Sequence, residues 1–596
     1  MKGKIFPQKS KNGKKTYYYY RYSYRVKINP DNIGNKNKNS GSSKVVTINK
    51  YLGTAETILE KCENPEKPHK IIVKEHGLVS ALYKIAKEIG LIEIINSVCD
   101  EKIKGISIGE FIFIAAANRV GNHNSKATIG EWLEKTILPE AMGINHKDLN
   151  SQTFWKAYDS ITPQKTVYEK MGKYNARYKK KMTFEETQDF LTEQKIHAIE
   201  MMLYSKLIDL YNITTDTLIY DTTNFFHYIS SNNEHTIIPQ TGNSKDGKNS
   251  NRLSGLLLAI DKEFGIPLFH ALYQGNMHDS KLFPDALTQI TNRLAKITKS
   301  VEGYTFVFDK GNNTKKNMKA ISKNELIKTL IGALSFVSFK KWARIPIKNF
   351  NRSYKKWDYL EAEDIVFEKK AKLVITYSEK ERKHELNSFN RRIECVKKQI
   401  IDIVNAHTKR AKKTLEEKID KKLTDLKIKT SRAKRYLSYI IENEDGKINI
   451  YFSKTKDAME KQLTFGKRIL FTYNLDMSSS DMIQLYHDKN KIENVNRNLK
   501  GGKIVEYSPL YHWTDSKIRV QTFSNIIGYL LIKIVEIKVI RSGERLSLLS
   551  LVECLGEIQE VVMIYSKDKF HKQITYLSKI HKKIAKAIGF FSQDMD

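Results

Sequence analysis

The chain has 596 residues, of which 40% are hydrophobic and 10% aromatic, which predicts several folded domains and argues against a disordered protein. Its formal net charge of +35 indicates a polyanionic partner, most simply nucleic acid, although a Lys- and Asn-rich composition bias is an alternative source of this charge. Four scattered cysteines show neither zinc spacing nor a disulfide framework, so we expect a reducing compartment.

The sequence shows no signal for export or membrane insertion. It opens without an apolar signal core, and the apolar run 526–540 is interrupted by Lys533, Glu536 and Lys538. We therefore expect a cytoplasmic, nucleoid-associated protein with no membrane partner.

Two segments precede the most regular part of the sequence. Residues 1–75 hold two Tyr- and Val-rich runs around a polar loop, which predict a β-hairpin unit. Tyrosines interleaved with basic residues suit contact with DNA, but tyrosine is also a good strand former. Residues 76–212 follow a helical period with basic connections, which predicts a helical DNA-binding region and a linker helix.

Residues 213–338 alternate between strand and helix patterns. Their β-branched and aromatic runs predict buried strands, and the runs 217–221 and 305–309 each end in an aspartate, Asp221 and Asp309. The predicted order is three antiparallel strands, a helix, a strand, a helix and a strand. This α/β order is that of a ribonuclease-H-like core, in which the strands of the two aspartates would be neighbours.

Residues 339–475 interrupt this order and predict a large insertion domain. A Lys-, Arg- and Glu-rich stretch at 379–438 predicts a charged helical hairpin, which would either grip DNA or a second subunit or simply be solvated. A strand pair is predicted at 448–452 and 468–472. Residues 476–540 would complete the core, and the Lys-rich residues 541–596 predict a C-terminal helical region.

The stretch 481–500 predicts one amphipathic helix with a single carboxylate among cations. At about 100° per residue, one arc of this helix would hold Tyr486, Lys489, Glu493, Arg497 and Lys500. A helix can present a metal ligand beside phosphate-binding groups in this way, but a solvated Lys-rich face over an apolar stripe gives the same pattern.

The two strand-end aspartates favour the metal-ligand interpretation of this helix. Asp221, Asp309 and Glu493 are three carboxylates that could converge, and converging carboxylates repel one another unless a cation is present. The sequence therefore predicts a divalent metal site made of these three residues.

With these carboxylates, the chain resembles the DDE transposases of prokaryotic insertion sequences, in particular the Tn-five-like group with a Tyr-x2-Arg-x3-Glu-x6-Lys motif. Lysine replaces arginine at the second motif position, which keeps the charge but loses a bidentate phosphate contact. The motif here consists of Tyr486, Lys489, Glu493 and Lys500. Short colinear matches extend over most of the chain and include Asn118, Arg119, Ser125, Lys126 and the run Tyr511, His512, Trp513 and Thr514.

The resemblance implies an enzyme that binds the terminal inverted repeats of a mobile element, cleaves at its ends and joins the 3′-hydroxyl to target DNA. It implies two Mg²⁺ ions on the three carboxylates, with Mn²⁺ as a substitute, and a homodimer on double-stranded DNA. The DNA contacts would come from Tyr486, Lys489, Arg497 and Lys500. Two alternatives stay open: a ribonuclease-H-fold nuclease or resolvase that cuts without joining, and a domesticated DNA-binding protein without catalysis.

Overall fold

A computed structural model describes most of the chain. The described residues are 3–27, 43–64, 66–121, 123–173, 185–187, 194–242, 251–298, 303–405, 417, 421, 434–444, 447–507, 510–566 and 569–589. The chain divides into two units, one formed by Met1–Lys74 with Gln559–Tyr576 and the other by Glu75–Ile558 with Leu577–Asp596.

The secondary structure combines strands and helices throughout. The strands are β1 (Lys4–Lys9), β2 (Thr16–Lys27), β3 (Ser43–Gly53), β4 (Lys70–Glu75), β5 (Lys102–Ile103), β6 (Ile106–Ser107), β7 (Thr217–His227), β8 (Gln240–Thr241), β9 (Arg252–Asp261), β10 (Pro267–Gln274), β11 (Tyr304–Val307), β12 (Ile327–Leu334), β13 (Arg352–Tyr354), β14 (Trp357–Val366), β15 (Lys369–Tyr377), β16 (Leu437–Glu444), β17 (Lys447–Lys454), β18 (Lys467–Thr472), β19 (Gln559–Ser566) and β20 (Lys569–Ile574). The helices are α1 (Ala55–Glu63), α2 (Gly77–Glu88), α3 (Leu91–Val98), α4 (Ile108–Asn118), α5 (Ile129–Glu134), α6 (Leu138–Met142), α7 (Ser151–Ile161), α8 (Gln164–Lys173), α9 (Gln194–Tyr211), α10 (Asp279–Thr298), α11 (Lys315–Ile321), α12 (Lys340–Ala343), α13 (Glu379–Asn405), α14 (Lys456–Gln462), α15 (Ser479–Asp488), α16 (Asn490–Lys500), α17 (Asp515–Arg541), α18 (Leu548–Gly556) and α19 (Lys579–Ile588).

The first unit contains two small antiparallel sheets. β1, β2 and β3 form one sheet, so the segment predicted as a hairpin has three strands, and α1 follows them. β20, β19 and β4 form the other. The prediction that residues 541–596 are wholly helical is therefore wrong at 559–574. Lysine content says little about the backbone there, whereas the run Val561, Val562, Met563 and Ile564 favours a strand.

The second unit contains a large mixed sheet in the order β10–β9–β7–β11–β12–β18–β15–β14–β13, with β8 beside β9. β7, β9 and β10 are antiparallel neighbours, and β11 and β12 run parallel to β7. β9 and β10 are buried along almost their whole length, although β10 is the last strand on its side of the sheet. The strands and helices predicted within 213–338 are confirmed, and α11 and β12 have the predicted bounds.

The segment predicted as an insertion extends this sheet. β18, β15, β14 and β13 continue it antiparallel from β12. The predicted pairing of 448–452 with 468–472 is wrong, because β17 pairs with β16 whereas β18 lies between β12 and β15. The buried side chains of α13 pack against this hairpin, and much of the predicted partner helix lies outside the described residues.

A long buried helix lies at the centre of the helical region. α17 is buried along nearly its whole length and packs against α2, α4 and α7. None of the helices described above is both long enough and apolar enough to cross a bilayer.

A buried charge network connects this helix to the sheet. Glu200 of α9 is fully buried, and its carboxylate oxygens lie 2.7 Å from His270 Nδ1 and 2.7 Å from Arg293 Nη1. Arg519 of α17 reaches His270 Nε2 at 2.8 Å. Burial alone would raise the pKa of Glu200, but its interactions with His270, Arg293 and Arg519 lower it to about 2. The network therefore fixes α9 against β10, α10 and α17.

We predict that Glu200→Ala lowers the free energy of unfolding by about 3 to 5 kcal/mol, because it leaves buried cations without a counter-charge. Urea denaturation at pH 7 measures this. Since the folded-state pKa of Glu200 lies below its unfolded value, its contribution is present above that unfolded value and is lost as the pH falls toward 2. The deficit of the variant should therefore shrink in acid.

The control is Glu325→Ala, at an exposed carboxylate of the same unit. It should change stability by less than about 0.5 kcal/mol. Equal losses for the two variants would contradict the role given to Glu200.

Candidate active site

Asp221 and Asp309 lie on neighbouring interior strands of the large sheet, at the point where β11 ends beside β7. β7 and β11 pair in parallel, with Ile219 opposite Val307. Each aspartate stands two residues beyond this pair, and the Asp309 backbone stays extended past the end of β11. Because side chains alternate along a strand with a period of two, the two carboxylates leave the sheet on the same face.

The predicted helix at 481–500 is two helices that meet at Lys489. α15 ends at Asp488 and α16 begins at Asn490. The Lys489 carbonyl accepts from the N–H of Ile492 at 3.1 Å, a contact one residue shorter than the α-helical spacing. The break separates Tyr486, which is buried on α15, from Glu493, which lies half-exposed in the first turn of α16.

Lys489 joins two of the predicted carboxylates. Its Nζ lies 3.3 Å from Asp309 Oδ1 and 3.3 Å from Glu493 Oε1. Burial lowers the pKa of Lys489, but Asp309, Tyr486, Glu493 and Asp221 outweigh this and raise it. The ammonium thus interacts with all three carboxylates of the candidate site.

The third carboxylate is held by a residue that the sequence did not single out. Asn496 Nδ2 donates a hydrogen bond to Asp221 Oδ2 at 3.0 Å, so α16 is fastened to β7. Asn496 is buried between Ile492 and Leu499 on the apolar stripe of α16. A polar side chain on such a stripe needs a partner, and this was the signal that could have identified it.

The pKa of Asp309 reflects the balance of charge at the site. Burial alone would raise this pKa, but the Lys489 ammonium, the Lys310 N–H and the Lys310 charge hold it below the ordinary value. Burial raises the pKa of Tyr486, with Asp309 and Glu493 adding to the shift. Asp309 is therefore ionised at neutral pH and Tyr486 is protonated.

The remaining predicted residues lie on α16 at different depths. Arg497 is exposed. Lys500 is partly buried, with its Nζ 5.8 Å from the centroid of the Phe225 ring, which stacks on Tyr507. Both residues lie on the helix that carries Glu493, but only Lys500 packs against β7.

The site is not a preformed set of metal ligands. Within the residues that the structure describes, no three His, Cys, Asp or Glu side chains are close enough to hold a metal ion. Instead, Asp309 and Glu493 converge on one cation, the Lys489 ammonium. The donors are hard carboxylate oxygens, the type that Mg²⁺ prefers.

A cleft of about 740 Å³ opens beside Asp309 and Lys489 and extends over the inserted segment. Its basic side chains outnumber its acidic ones, Asp309, Glu385, Asp457 and Glu460. The basic ones are Lys310, Lys340, Arg344, Arg392, Arg435, Lys461, Lys467, Arg468 and Lys489. Such a concave, positive surface favours an anionic ligand.

Comparison with known proteins gives limited information. No protein-family model matches the sequence, and no curated protein matches it significantly. Among solved structures, a cryo-EM structure of a piggyBac transposase synaptic complex with hairpin DNA aligns with a TM-score of 0.37 and 10% sequence identity, over 80% of this chain and 79% of that chain. A similarity at this level establishes neither a shared fold nor a shared activity.

We predict that Lys489→Met lowers stability at pH 7 but has little effect near pH 3. The lowered pKa of Asp309 contributes stability above its unfolded value, about 3.9, and this contribution is lost as the pH falls through the folded value. The raised pKa of Lys489 contributes up to its own unfolded value near 10.5. Thermal unfolding across this range measures the difference, which should stay below about 1 kcal/mol because Asp309 is half-exposed.

The matched variant is Lys489→Arg, which keeps the positive charge. It should retain most of the difference between neutral and acid pH. A Lys489→Met profile parallel to that of the unchanged protein would rule out the ion pairs described above.

Proposed function

We propose that the chain is a DDE-type DNA transposase that cleaves the ends of a mobile element and joins the freed 3′-hydroxyl to target DNA. The observation that carries this proposal is the placement of Asp221 beside Asp309 where β11 ends, with Glu493 sharing a cation with Asp309. Three carboxylates gathered from distant parts of a sequence are the donor set of a metal-dependent phosphoryl transferase.

The strand order supports a ribonuclease-H-like core for this enzyme. Three antiparallel strands, β7, β9 and β10, are followed by two strands parallel to β7, with β11 directly beside it. The aspartates of such a core stand on its first and fourth strands, which correspond to β7 and β11. Together with the sequence motif, this supports membership of the Tn-five-like group of insertion-sequence transposases.

The carboxylates fit divalent ions, because Asp309 and Glu493 already accommodate a cation between them. Asp221, Asp309 and Glu493 would hold two Mg²⁺ ions, with Mn²⁺ as a substitute. When bound, such ions lower the pKa of an attacking water or hydroxyl and stabilise the leaving oxygen. The Lys489 ammonium lies in the same space, so it would have to turn away from the carboxylates.

The chain's own residues then orient the DNA. Asn496 fixes the Asp221 carboxylate, which leaves one oxygen without that hydrogen bond. Lys489, once it has turned away, would pair with a phosphate oxygen, and Lys500 would do the same from the far end of α16. Tyr486, which lines the cleft, has a protonated hydroxyl that would donate to a phosphate.

The basic cleft gives the DNA a path away from the carboxylates. Among the described residues, neither Arg392 nor Arg435 forms an ion pair; Arg392 bonds the Ser388 hydroxyl at 3.4 Å, and Arg435 lies 4.6 Å from the centroid of the Tyr436 ring. Both cations are therefore available to the phosphates of double-stranded DNA. The substrates would be terminal inverted repeats and target DNA, handled by a homodimer.

We predict that Asp221→Asn, Asp309→Asn and Glu493→Gln each abolish DNA cleavage in Mg²⁺ but retain DNA binding, since each removes a carboxylate and changes little else. Cleavage is measured on a plasmid that carries the DNA flanking the coding sequence. Labelled 3′ ends that become covalently joined to a second plasmid identify strand transfer.

The control is Asp216→Asn, an exposed carboxylate just before β7 that pairs with Lys262. It should cleave normally. Cleavage by Asp221→Asn would exclude the proposed centre, and cleavage without joined products would identify a nuclease or resolvase instead.

We predict that Arg392→Gln together with Arg435→Gln weakens duplex binding and reduces its salt dependence. Each lost phosphate contact should lower the slope of log K against log salt by about one. Fluorescence anisotropy with a labelled duplex at several salt concentrations measures this.

Arg545→Gln, at an exposed arginine remote in sequence from the cleft, is the control and should leave the slope unchanged. If the slope of log K against log salt is unchanged in the Arg392→Gln, Arg435→Gln variant, these two arginines do not contact the DNA. Light scattering on the same complexes should give two chains for each pair of DNA ends, and one chain would contradict the homodimer.

A further inference from the structure

A second group of cations lies where β7 extends beyond the end of β11. β11 ends opposite Ile219, but β7 continues to His227, and Leu510 forms a parallel bridge with His227. The N–H of Tyr228 also donates to the Leu510 carbonyl at 2.9 Å. The segment after α16 therefore lies beside β7 where β11 has ended. Leu510 in this segment is next to His227, six residues beyond Asp221.

Arg119 and Lys126 bring positive charge to this segment. Residues 119–121 bond to the segment after α16, with the Glu506 N–H donating to the Arg119 carbonyl at 3.1 Å and the Gly121 N–H donating to the Ile504 carbonyl at 3.0 Å. Lys126 Nζ lies 5.0 Å from the centroid of the Tyr158 ring, and His512 stacks on the same ring at 6.2 Å.

Among the described residues, Arg119 and Lys126 have no acidic side chain as an ion-pair partner. The hydrogen bond of Lys126 Nζ goes to the neutral Gln521 Oε1. Glu506 is the carboxylate whose charge acts on Arg119, but it already pairs with His123 Nε2 at 2.6 Å. The buried His512 Nδ1 has no hydrogen-bond partner among the described residues.

The charged groups around His512 are also mainly positive. Burial lowers the pKa of His512, and the charges of Lys126, Arg119 and Lys517 lower it further, whereas burial lowers the pKa of His227 to about 3, so that ring is neutral at pH 7. Lys517 pairs with Asp159, so this pair contributes little net charge. Like charges gathered without an acid between them are stabilised by a bound anion.

Exposed aromatic rings surround this group. Tyr228 and Tyr511 are 50% and 66% exposed, and their ring centroids are 5.7 Å apart. Trp513 is 44% exposed and stacks on Trp155 at 5.4 Å. Large rings left in solvent beside phosphate-binding cations are the arrangement that holds unpaired bases.

We propose that Arg119, Lys126 and His512 bind a backbone phosphate of an unpaired DNA strand, with Tyr228, Tyr511 and Trp513 stacking on its bases. This inference rests on the proposed function. His227 is six residues beyond Asp221, a distance of about 20 Å along an extended strand. The site would thus hold the strand on one side of the cleaved phosphate.

The test measures binding of the full chain, without added metal, to a labelled oligothymidylate of about 16 nucleotides. Arg119→Gln and Lys126→Gln should each weaken binding roughly tenfold, because each removes a charge-assisted hydrogen bond. Each should also reduce the salt slope by about 0.7, the value for one phosphate of a single strand. Trp513→Ala and Tyr511→Ala should each weaken binding about fivefold or more, because each removes a ring on which a base would stack.

Two controls make the test specific. Lys126→Arg keeps the charge and should bind nearly as well as the unchanged chain. Lys328→Gln removes an exposed charge from the start of β12, at the opposite end of the sheet strands, and should have no effect. Unfolding midpoints establish that each variant is folded.

The outcomes separate this site from the proposed enzyme. If Arg119→Gln and Lys126→Gln bind as well as Lys328→Gln, the phosphate site is excluded, even where Asp221→Asn abolishes cleavage. If the cation variants weaken binding but Trp513→Ala and Tyr511→Ala do not, the assignment to unpaired bases is overturned. Weakened binding in all four variants supports the site, even where the chain proves not to cleave DNA.

Discussion

Neighbouring carboxylates repel one another, so Asp309 and Glu493 need positive charge between them. Here the Lys489 ammonium supplies it, 3.3 Å from both Asp309 and Glu493. The break between α15 and α16 also lies at Lys489, the residue that forms both ion pairs. In a straight helix, Tyr486 and Glu493 would share one face. In the structure, Tyr486 before the break is buried and Glu493 after it is half-exposed.

The parts of the fold that the sequence predicted best are those with local signals. The runs that predicted β7, β9, β10 and β12 are rich in apolar residues and bounded by polar turns, a pattern typical of buried strands. The adjacency of Asp221 and Asp309 followed from the order of these strands. The sequence could not predict that both aspartates lie two residues beyond the pair Val307 and Ile219, because the register of two strands depends on both of them.

Other features depended on long-range contacts and could not be predicted. β15 and β18 join the core sheet because β12 presents an open edge, and pairing satisfies its backbone groups. The sequence of β18 would equally suit the predicted pairing with residues 448–452. The strand at 559–566 was hidden by a Lys-rich composition, and its pairing with β4 joins residues almost 500 positions apart. Asn496 was overlooked because Asp221, its partner, lies 275 residues away.

The unequal lengths of β7 and β11 connect the two groups of charge. β7 is longer than β11, so the last residues of β7 do not pair with β11. The chain after α16 lies beside them, and Leu510 forms a bridge with His227. The helix that carries Glu493 and the loop that carries His512 are therefore positioned by one strand. Acidic side chains gather where β11 stops, and basic and aromatic ones where β7 stops. Under the proposed function, a phosphodiester backbone that follows β7 would meet the three carboxylates first and Arg119 and Lys126 next, so the strand would be cut at one point and held at another.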